Sequence, residues 1–180
     1  KYFEEICSIP HGSRNLQQIS DYLVDFAKAH ELKYRQDEDL NVIIWKDGSK
    51  GYEASEPVIL QGHMDMVAVK EADCDKDMEK EGLDLEINGD YISAKGTSLG
   101  GDDGIAVAYT LAVLDDEEMA HPPIEAIFTV NEEIGMLGAA TIDVSDLKGR
   151  LFMNMDSEDE GVFTVSCAGG ASVICKIPYE

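Results

Sequence analysis

Short apolar runs that resemble buried strands alternate along this chain with helix-like segments, and this alternation limits the fold more than any other feature. The runs are rich in β-branched residues and are bounded by polar or turn residues, as buried strands are. Four runs have this character: residues 41–45, 57–61, 124–130 and 151–155. Asn88-Gly89, between residues 85–87 and 91–93, predicts a β-hairpin as well.

Segments with helical periodicity lie before the first run and between the later ones. Apolar residues recur at helical spacing from Leu16 to His30, and Asn15 is the expected N-cap. Residues 105–114 are apolar nearly all round, which predicts a buried helix, and residues 137–142 predict a short one. This order of strands and helices predicts an α/β three-layer sandwich, with a central mixed, largely parallel sheet flanked by helices.

The charge of the chain limits its partners. Its 180 residues include 37 Asp and Glu against 14 Lys and Arg, a formal net charge of −23. Such a chain repels phosphate backbones and anionic lipid, so neither nucleic acid nor a membrane is an expected partner. The acidic opening does not resemble a signal peptide, and no apolar run approaches about 20 residues, so we expect a cytoplasmic protein. Four irregularly spaced cysteines are expected to be reduced thiols.

Polar clusters follow the predicted strands or open a helix, where open α/β sheets place their sites. The four clusters are residues 62–65, 100–104, 131–133 and 154–156. Together they supply one imidazole and several carboxylates, the ligand types of a zinc or manganese site. Any single cluster could be an ordinary solvated loop, and Asp103 could simply cap a helix.

Within these clusters, two pairs of residues have informative spacing. His63 and Asp65 point the same way in an extended segment, so Asp65 could hold the second imidazole nitrogen of His63. Adjacent Glu132 and Glu133 diverge, so one can bind a metal while the other faces the substrate as a base.

Other candidate sites are weaker. Residues 73–77 imitate the start of an EF-hand loop, but Met78 stands where that loop needs glycine. His11, His30 and His121 lack ligand spacing with another carboxylate. The chain also has no serine-hydrolase elbow, phosphate-binding loop or H-E-x-x-H motif.

The four clusters together resemble the motifs of the M20 family of co-catalytic zinc peptidases, and most of all those of its aminoacyl-histidine (Xaa-His, cytosolic non-specific) dipeptidases. Residues 3–10 also look like the start of that family's first helix. The motifs, in the order and approximate spacing of the family, are residues 61–67, 95–105, 131–136 and 154–158.

The resemblance implies a role for each site residue. His63 and Asp156 would bind one metal, Glu133 would bind the other, and Asp102 would bridge both. Asp65 would orient His63, and Glu132 would be the general base. A cis peptide between Asp102 and Asp103 is expected too, although the family often has Asn at the position of Asp103.

The resemblance also implies that the chain is part of a longer protein. Residues 1–160 would be the N-terminal part of the catalytic domain, and residues 161–180 would be strands leading to a lid or dimerisation domain. A histidine from beyond the chain would complete the second metal site. The whole enzyme would hold two Zn²⁺, with Mn²⁺ or Co²⁺ as alternatives, and would form a homodimer through the lid. The chain alone would hold one metal ion or none and be inactive.

Two functions other than a zinc dipeptidase stay open. Another M20-type amidohydrolase, such as an aminoacylase or a tripeptidase, would share the same motifs. An inactive metal-binding interaction domain would share the ligands, but the intact Glu132 beside Glu133 argues against it.

Overall fold

The structure is a computed structural model that describes residues 1–157, 161–166, 169–170 and 173–178. The helices are α1 (Tyr2–Cys7), α2 (Gln17–Ala29), α3 (Gly101–Asp115) and α4 (Leu137–Thr141). The strands are β1 (Lys33–Gln36), β2 (Val42–Lys46), β3 (Val58–His63), β4 (Leu85–Asn88), β5 (Tyr91–Ala94), β6 (Ile124–Thr129) and β7 (Leu151–Asn154).

A five-stranded mixed sheet forms the centre of the molecule, with strand order β1-β2-β6-β3-β7. Strands β6, β3 and β7 are mutually parallel, while β2 pairs antiparallel with both β1 and β6. Because the three parallel strands are neighbours, their carboxyl ends lie together at one end of the sheet. The predicted site lies at that end.

Apolar side chains cover both faces of this sheet. On one face, residues of α1, α2 and α3 form the main core with alternate residues of the strands, such as Ile44, Leu60 and Phe128. On the other face, Ile43, Ile59 and Ile127 pack with Ile142 and Leu147, which follow α4. The predicted α/β sandwich, with a mixed sheet flanked by helices, is therefore confirmed.

Most of the predicted elements are confirmed as well. The four apolar runs are β2, β3, β6 and β7, and the predicted hairpin is β4–β5, with Gly89 and Asp90 in its loop. The opening helix is α1, and the short helix is α4. The predicted division after residue 160 falls beside residues 158–160, which lie outside the described residues, and it stays a prediction.

Three details of the predicted elements differ. Leu16, not Asn15, is the N-cap of α2, because the Asn15 amide donates instead to the carbonyl oxygen of Glu79 at 2.8 Å. Helix α3 is not buried all round, since its Tyr109 is 62% exposed. Strand β1 has no counterpart among the predictions.

Cys7, Cys74 and Cys175 are free thiols, as expected, and Cys167 lies outside the described residues. In the described part of the chain, no helix combines the length and apolar character that crossing a membrane requires.

Candidate metal centre

The site lies where the parallel strands end and α3 begins. His63 is the last residue of β3, Glu132 follows β6, Asp156 follows β7, and Asp102 opens α3. Ligand atoms of His63, Asp102 and Asp156 lie within 4.8 Å of one another, and this is the only group of metal-ligating side chains so close together in the described residues. The structure therefore brings together one imidazole and two carboxylates from three separate predicted clusters.

His63 is buried and has a fixed orientation. Its Nδ1 lies 2.9 Å from the backbone carbonyl oxygen of Asp65 and 3.5 Å from the Asp65 carboxylate. Because a carbonyl oxygen can only accept, Nδ1 carries the hydrogen in this arrangement and Nε2 faces the site. Nε2 lies 3.1 Å from Asp102 Oδ1, 3.9 Å from Glu132 Oε2 and 4.0 Å from Asp156 Oδ2.

Asp65 holds two parts of the site together. Its Oδ1 accepts a hydrogen bond from the Glu132 N–H at 2.9 Å, and its Oδ2 accepts one from the Ser13 hydroxyl at 2.8 Å and a longer one from the Glu133 N–H at 3.4 Å. Burial alone would raise the pKa of Asp65, but His63, the Glu132 N–H and the Ser13 hydroxyl lower it below its usual value. The Asp65 carboxylate is thus ionised, and it fixes the turn that carries Glu132 and Glu133.

The start of α3 approaches β3 closely. The peptide between Asp102 and Asp103 is cis, as expected. Asp103 is buried, and its Oδ2 accepts a hydrogen bond from the His63 N–H at 3.2 Å. Gly62 allows this approach, because a Cβ there would lie 2.8 Å from the Ala106 Cβ and 2.9 Å from Asp103 Oδ2. Asp103 therefore holds the backbone of a site residue, a role beyond that of a helix cap.

Burial and crowding of negative charge shift the pKa values of the carboxyl groups. Burial is the main cause that raises the pKa of Asp103 to about 7. Burial also raises the pKa of Glu132 and of Glu133, and the next cause for Glu133 is the charge of Asp102. Each of these groups resists ionisation because the charge of His63, which lowers the pKa of all three, does not offset the burial and the neighbouring carboxylates.

His63 shows the opposite effect. Burial disfavours its charged form, but the Asp65 hydrogen bond and the charges of Asp103, Asp65 and Glu132 outweigh the burial and raise its pKa to about 9. A proton on His63 therefore partly neutralises the carboxylates. A divalent cation would compete with that proton, because metal ligands must be deprotonated.

The donor set suits a divalent cation. Within the described residues, Asp102, Glu132 and Asp156 form ion pairs with His63 and with no lysine or arginine. Carboxylates collected around a single imidazole, with no permanent cation among them, are the ligands that zinc and manganese use. The residues present therefore fit the implied metal.

The remaining histidines make other contacts. His11 Nδ1 lies 2.6 Å from the Ile9 carbonyl oxygen, and His121 Nδ1 lies 2.8 Å from the Pro122 carbonyl oxygen. His30 pairs with Asp115 at 2.8 Å. None of the three joins the metal-ligating group in the described residues.

Comparison with known proteins identifies relatives along most of the chain. It is 41% identical over 168 residues to the cytosol non-specific dipeptidase of Escherichia coli, covering 93% of this chain and 35% of that protein. The crystal structure of the aminoacylhistidine dipeptidase from Vibrio alginolyticus superposes with a TM-score of 0.86 at 42% identity, covering 89% of this chain and 33% of that one. The chain is homologous to these two dipeptidases along most of its length.

The chain spans about a third of the length of those two relatives. A tripeptidase from Staphylococcus aureus has the same fold, with a TM-score of 0.72 at 23% identity over 88% of this chain and 42% of that one. No family model matches the chain.

Sequence reasoning assigned no role to several residues that shape this site. Gln61 connects the ends of three strands: its amide donates to Thr129 Oγ1 at 3.2 Å, and its Oε1 accepts from the Asn154 amide at 2.6 Å. This ladder lies two residues before His63 on β3 and two before Asp156 beyond β7. The available signal was an amide side chain two residues before each of these ligands, a spacing that places both on the same face of a strand. Ser13 was missed as well.

Proposed function

We propose that the protein containing this chain is a metal-dependent dipeptidase. The observation that carries the proposal is the convergence of His63, Asp102 and Asp156 beside Glu132 at the ends of the parallel strands. The 41% identity to a dipeptidase over nearly the whole chain supports the same reaction class.

Each site residue has a proposed ligand role. His63 Nε2, Asp102 and Asp156 would hold one cation, while Asp102 and Glu133 would belong to a second. The proposed ions are two Zn²⁺, with Mn²⁺ or Co²⁺ as alternatives. When bound, such cations polarise the substrate carbonyl and lower the pKa of water. The charge of Asp102, which helps to raise the pKa of Glu133, supports placing these two carboxylates around one ion.

Glu132 is the proposed general base. Its Oε2 lies 3.9 Å from His63 Nε2, about as near as the Asp156 carboxylate at 4.0 Å, but among the described residues Glu132 does not belong to the group of mutually close ligand atoms. Burial raises the pKa of Glu132, which makes it a better proton acceptor than an ordinary surface glutamate. Glu132 would take a proton from water and later deliver it to the leaving amine. Its backbone N–H is held by Asp65, so the base has a fixed anchor.

The proposed substrate is a dipeptide, including dipeptides with C-terminal histidine, because relatives above 40% identity carry the names of such enzymes. We further propose a cytoplasmic location, after the cytosolic name of the Escherichia coli relative. A homodimer through a lid domain also stays a proposal.

The test uses the complete protein that carries this sequence. Hydrolysis of Ala-His, Ala-Ala and Ala-Ala-Ala is followed by release of amino acids, before and after chelation and after addition of zinc. We expect hydrolysis of the dipeptides, loss of that activity on chelation and its return with zinc. Activity that resists chelation contradicts the metal, and equal hydrolysis of the tripeptide contradicts the dipeptide preference.

A further inference from the structure

Ser13 lies in the loop between α1 and α2, far from the motifs in sequence, yet it contacts the site directly. Its hydroxyl donates to Asp65 Oδ2 at 2.8 Å. Its own backbone N–H donates to the Met66 carbonyl oxygen at 3.2 Å, and the Met66 N–H in turn donates to the His11 carbonyl oxygen at 3.2 Å. The loop is therefore attached along the segment that follows His63, and the position of the Ser13 hydroxyl is fixed by backbone.

The next residue attaches the same loop to the other side of the site. The Arg14 N–H donates to Asn131 Oδ1 at 2.8 Å, and Asn131 immediately precedes Glu132 and Glu133. Residues 13 and 14 thus contact both the segment that carries Asp65 and the turn that carries the proposed base. Residues 13 and 14 can therefore set the distance between the Asp65 segment and the turn that carries Glu132.

The Asp65 carboxylate depends on its hydrogen-bond donors because its side chain is fully buried. Oδ1 has the Glu132 N–H at 2.9 Å, but Oδ2 has only one short donor, the Ser13 hydroxyl, among the described residues. Without that hydroxyl, Oδ2 would keep only the 3.4 Å contact with the Glu133 N–H. A buried carboxylate left short of donors turns toward others, and such a turn would change its 3.5 Å contact with His63 Nδ1 and move the Glu132 anchor.

We propose that Ser13 is a positioning residue, which aligns the Asp65 carboxylate so that His63 and Glu132 face the same reacting group. This inference rests on the proposed function. Ser13 acts through Asp65, and no contact of its hydroxyl with a proposed metal ligand is found among the described residues. Its loss should therefore lower kcat and metal affinity while leaving KM nearly unchanged.

The test compares Ser13→Ala, Ser13→Thr and the control Ser8→Ala in the complete protein. Ser8 is a matched control because its hydroxyl donates to the Glu5 carbonyl oxygen at an exposed position five residues earlier. We measure kcat and KM for Ala-His, zinc affinity by competition with a chromogenic chelator, and thermal unfolding in excess chelator. Partners of metal ligands typically contribute 10–100-fold, and we expect a loss of about tenfold in both kcat and zinc affinity for Ser13→Ala. Ser13→Thr, which keeps the hydroxyl, should restore both.

Several outcomes overturn the inference. They are wild-type kcat and zinc affinity in Ser13→Ala, an equal loss in Ser8→Ala, a loss confined to KM, and a loss that Ser13→Thr does not restore. A Ser13→Ala protein that fails to fold also overturns it, since Ser13 would then be a folding residue. If the wild-type protein hydrolyses no dipeptide, the proposed function fails, while the zinc affinities still test Ser13.

Discussion

The two halves of the site differ in how the protein holds them. His63, Asp65 and Asp103 are at most 3% exposed and hydrogen-bond to one another and to the backbone. In contrast, the side chains of Asp102, Asp156 and Glu132 are 70%, 38% and 31% exposed. The buried half is set by the fold, and the exposed half is a group of carboxylates that only His63 neutralises within the described residues.

This difference separates the task of Asp65, in the buried half, from that of Glu132, which lies in the exposed half beside the proposed ligands Asp102 and Asp156. Hydrogen bonds that fix a ligand serve metal affinity and geometry. A partly exposed carboxylate beside the ligands can meet water and substrate, as proton transfer requires. Loss of the Asp65 hydrogen bonds should therefore reduce metal binding, whereas loss of the Glu132 base should reduce turnover alone.

Glu132→Gln is expected to have the largest effect. The amide has nearly the shape of the carboxylate but cannot accept a proton from water, so kcat should fall by about 10²–10⁴-fold. Zinc affinity should stay at the wild-type value, and Glu117→Gln, on the exposed chain after α3, serves as the control. If Glu132→Gln lost zinc along with activity, Glu132 would be a ligand and the roles of Glu132 and Glu133 would be reversed.

Asp65→Asn should have the next largest effect, and it should reduce zinc binding as well as turnover. An amide nitrogen would face one of the donors that now bind the carboxylate, so the His63 orientation and the Glu132 anchor would both be disturbed. We expect zinc affinity to fall by about 10–100-fold, measured by chelator competition. Asp90→Asn, in the loop of the β4–β5 hairpin, is the control. Unchanged zinc affinity in Asp65→Asn would remove the distinction between the two halves.

Asp103→Asn should have the smallest effect, on stability rather than activity. Burial raises the pKa of Asp103 from 3.8 to about 7, so its contribution to stability is complete below pH 3.8 and is lost as the pH rises through 7. The amide that replaces the carboxyl group would not ionise, and its oxygen can still accept the hydrogen bond from the His63 N–H.

In excess chelator, the melting temperature of Asp103→Asn relative to wild type should therefore rise between pH 5 and pH 8. Differential scanning calorimetry at both pH values measures it. A difference that does not change with pH would contradict the raised pKa of Asp103.

The buried half and its scaffold were largely predictable from sequence. Strands β2, β3 and β6 contain runs of consecutive apolar residues, which predict buried strands. Because neighbouring parallel strands run in the same direction, their carboxyl ends lie together. Strand β1 was not predictable in this way because its sequence Lys-Tyr-Arg-Gln is polar, and it becomes a strand only by pairing with β2 at the sheet edge.

Contacts between distant residues could not be predicted from local pattern. Ser13 lies 52 residues before Asp65, and nothing around a single serine in a loop indicates which carboxylate it will meet. Asn15 shows the same limit, since its predicted capping role was displaced by a contact with Glu79, 64 residues away. The ligand roles of His63, Asp102, Glu133 and Asp156 stay predictions.

The most direct test of these roles is a crystal structure of the complete protein with zinc, with anomalous data collected at the zinc edge. We predict one anomalous peak within about 2.0–2.2 Å of His63 Nε2 and of carboxylate oxygens of Asp102 and Asp156, and a second peak beside Asp102 and Glu133. Zinc peaks away from His63, or a peak bound by Glu132 in place of Glu133, would contradict the account.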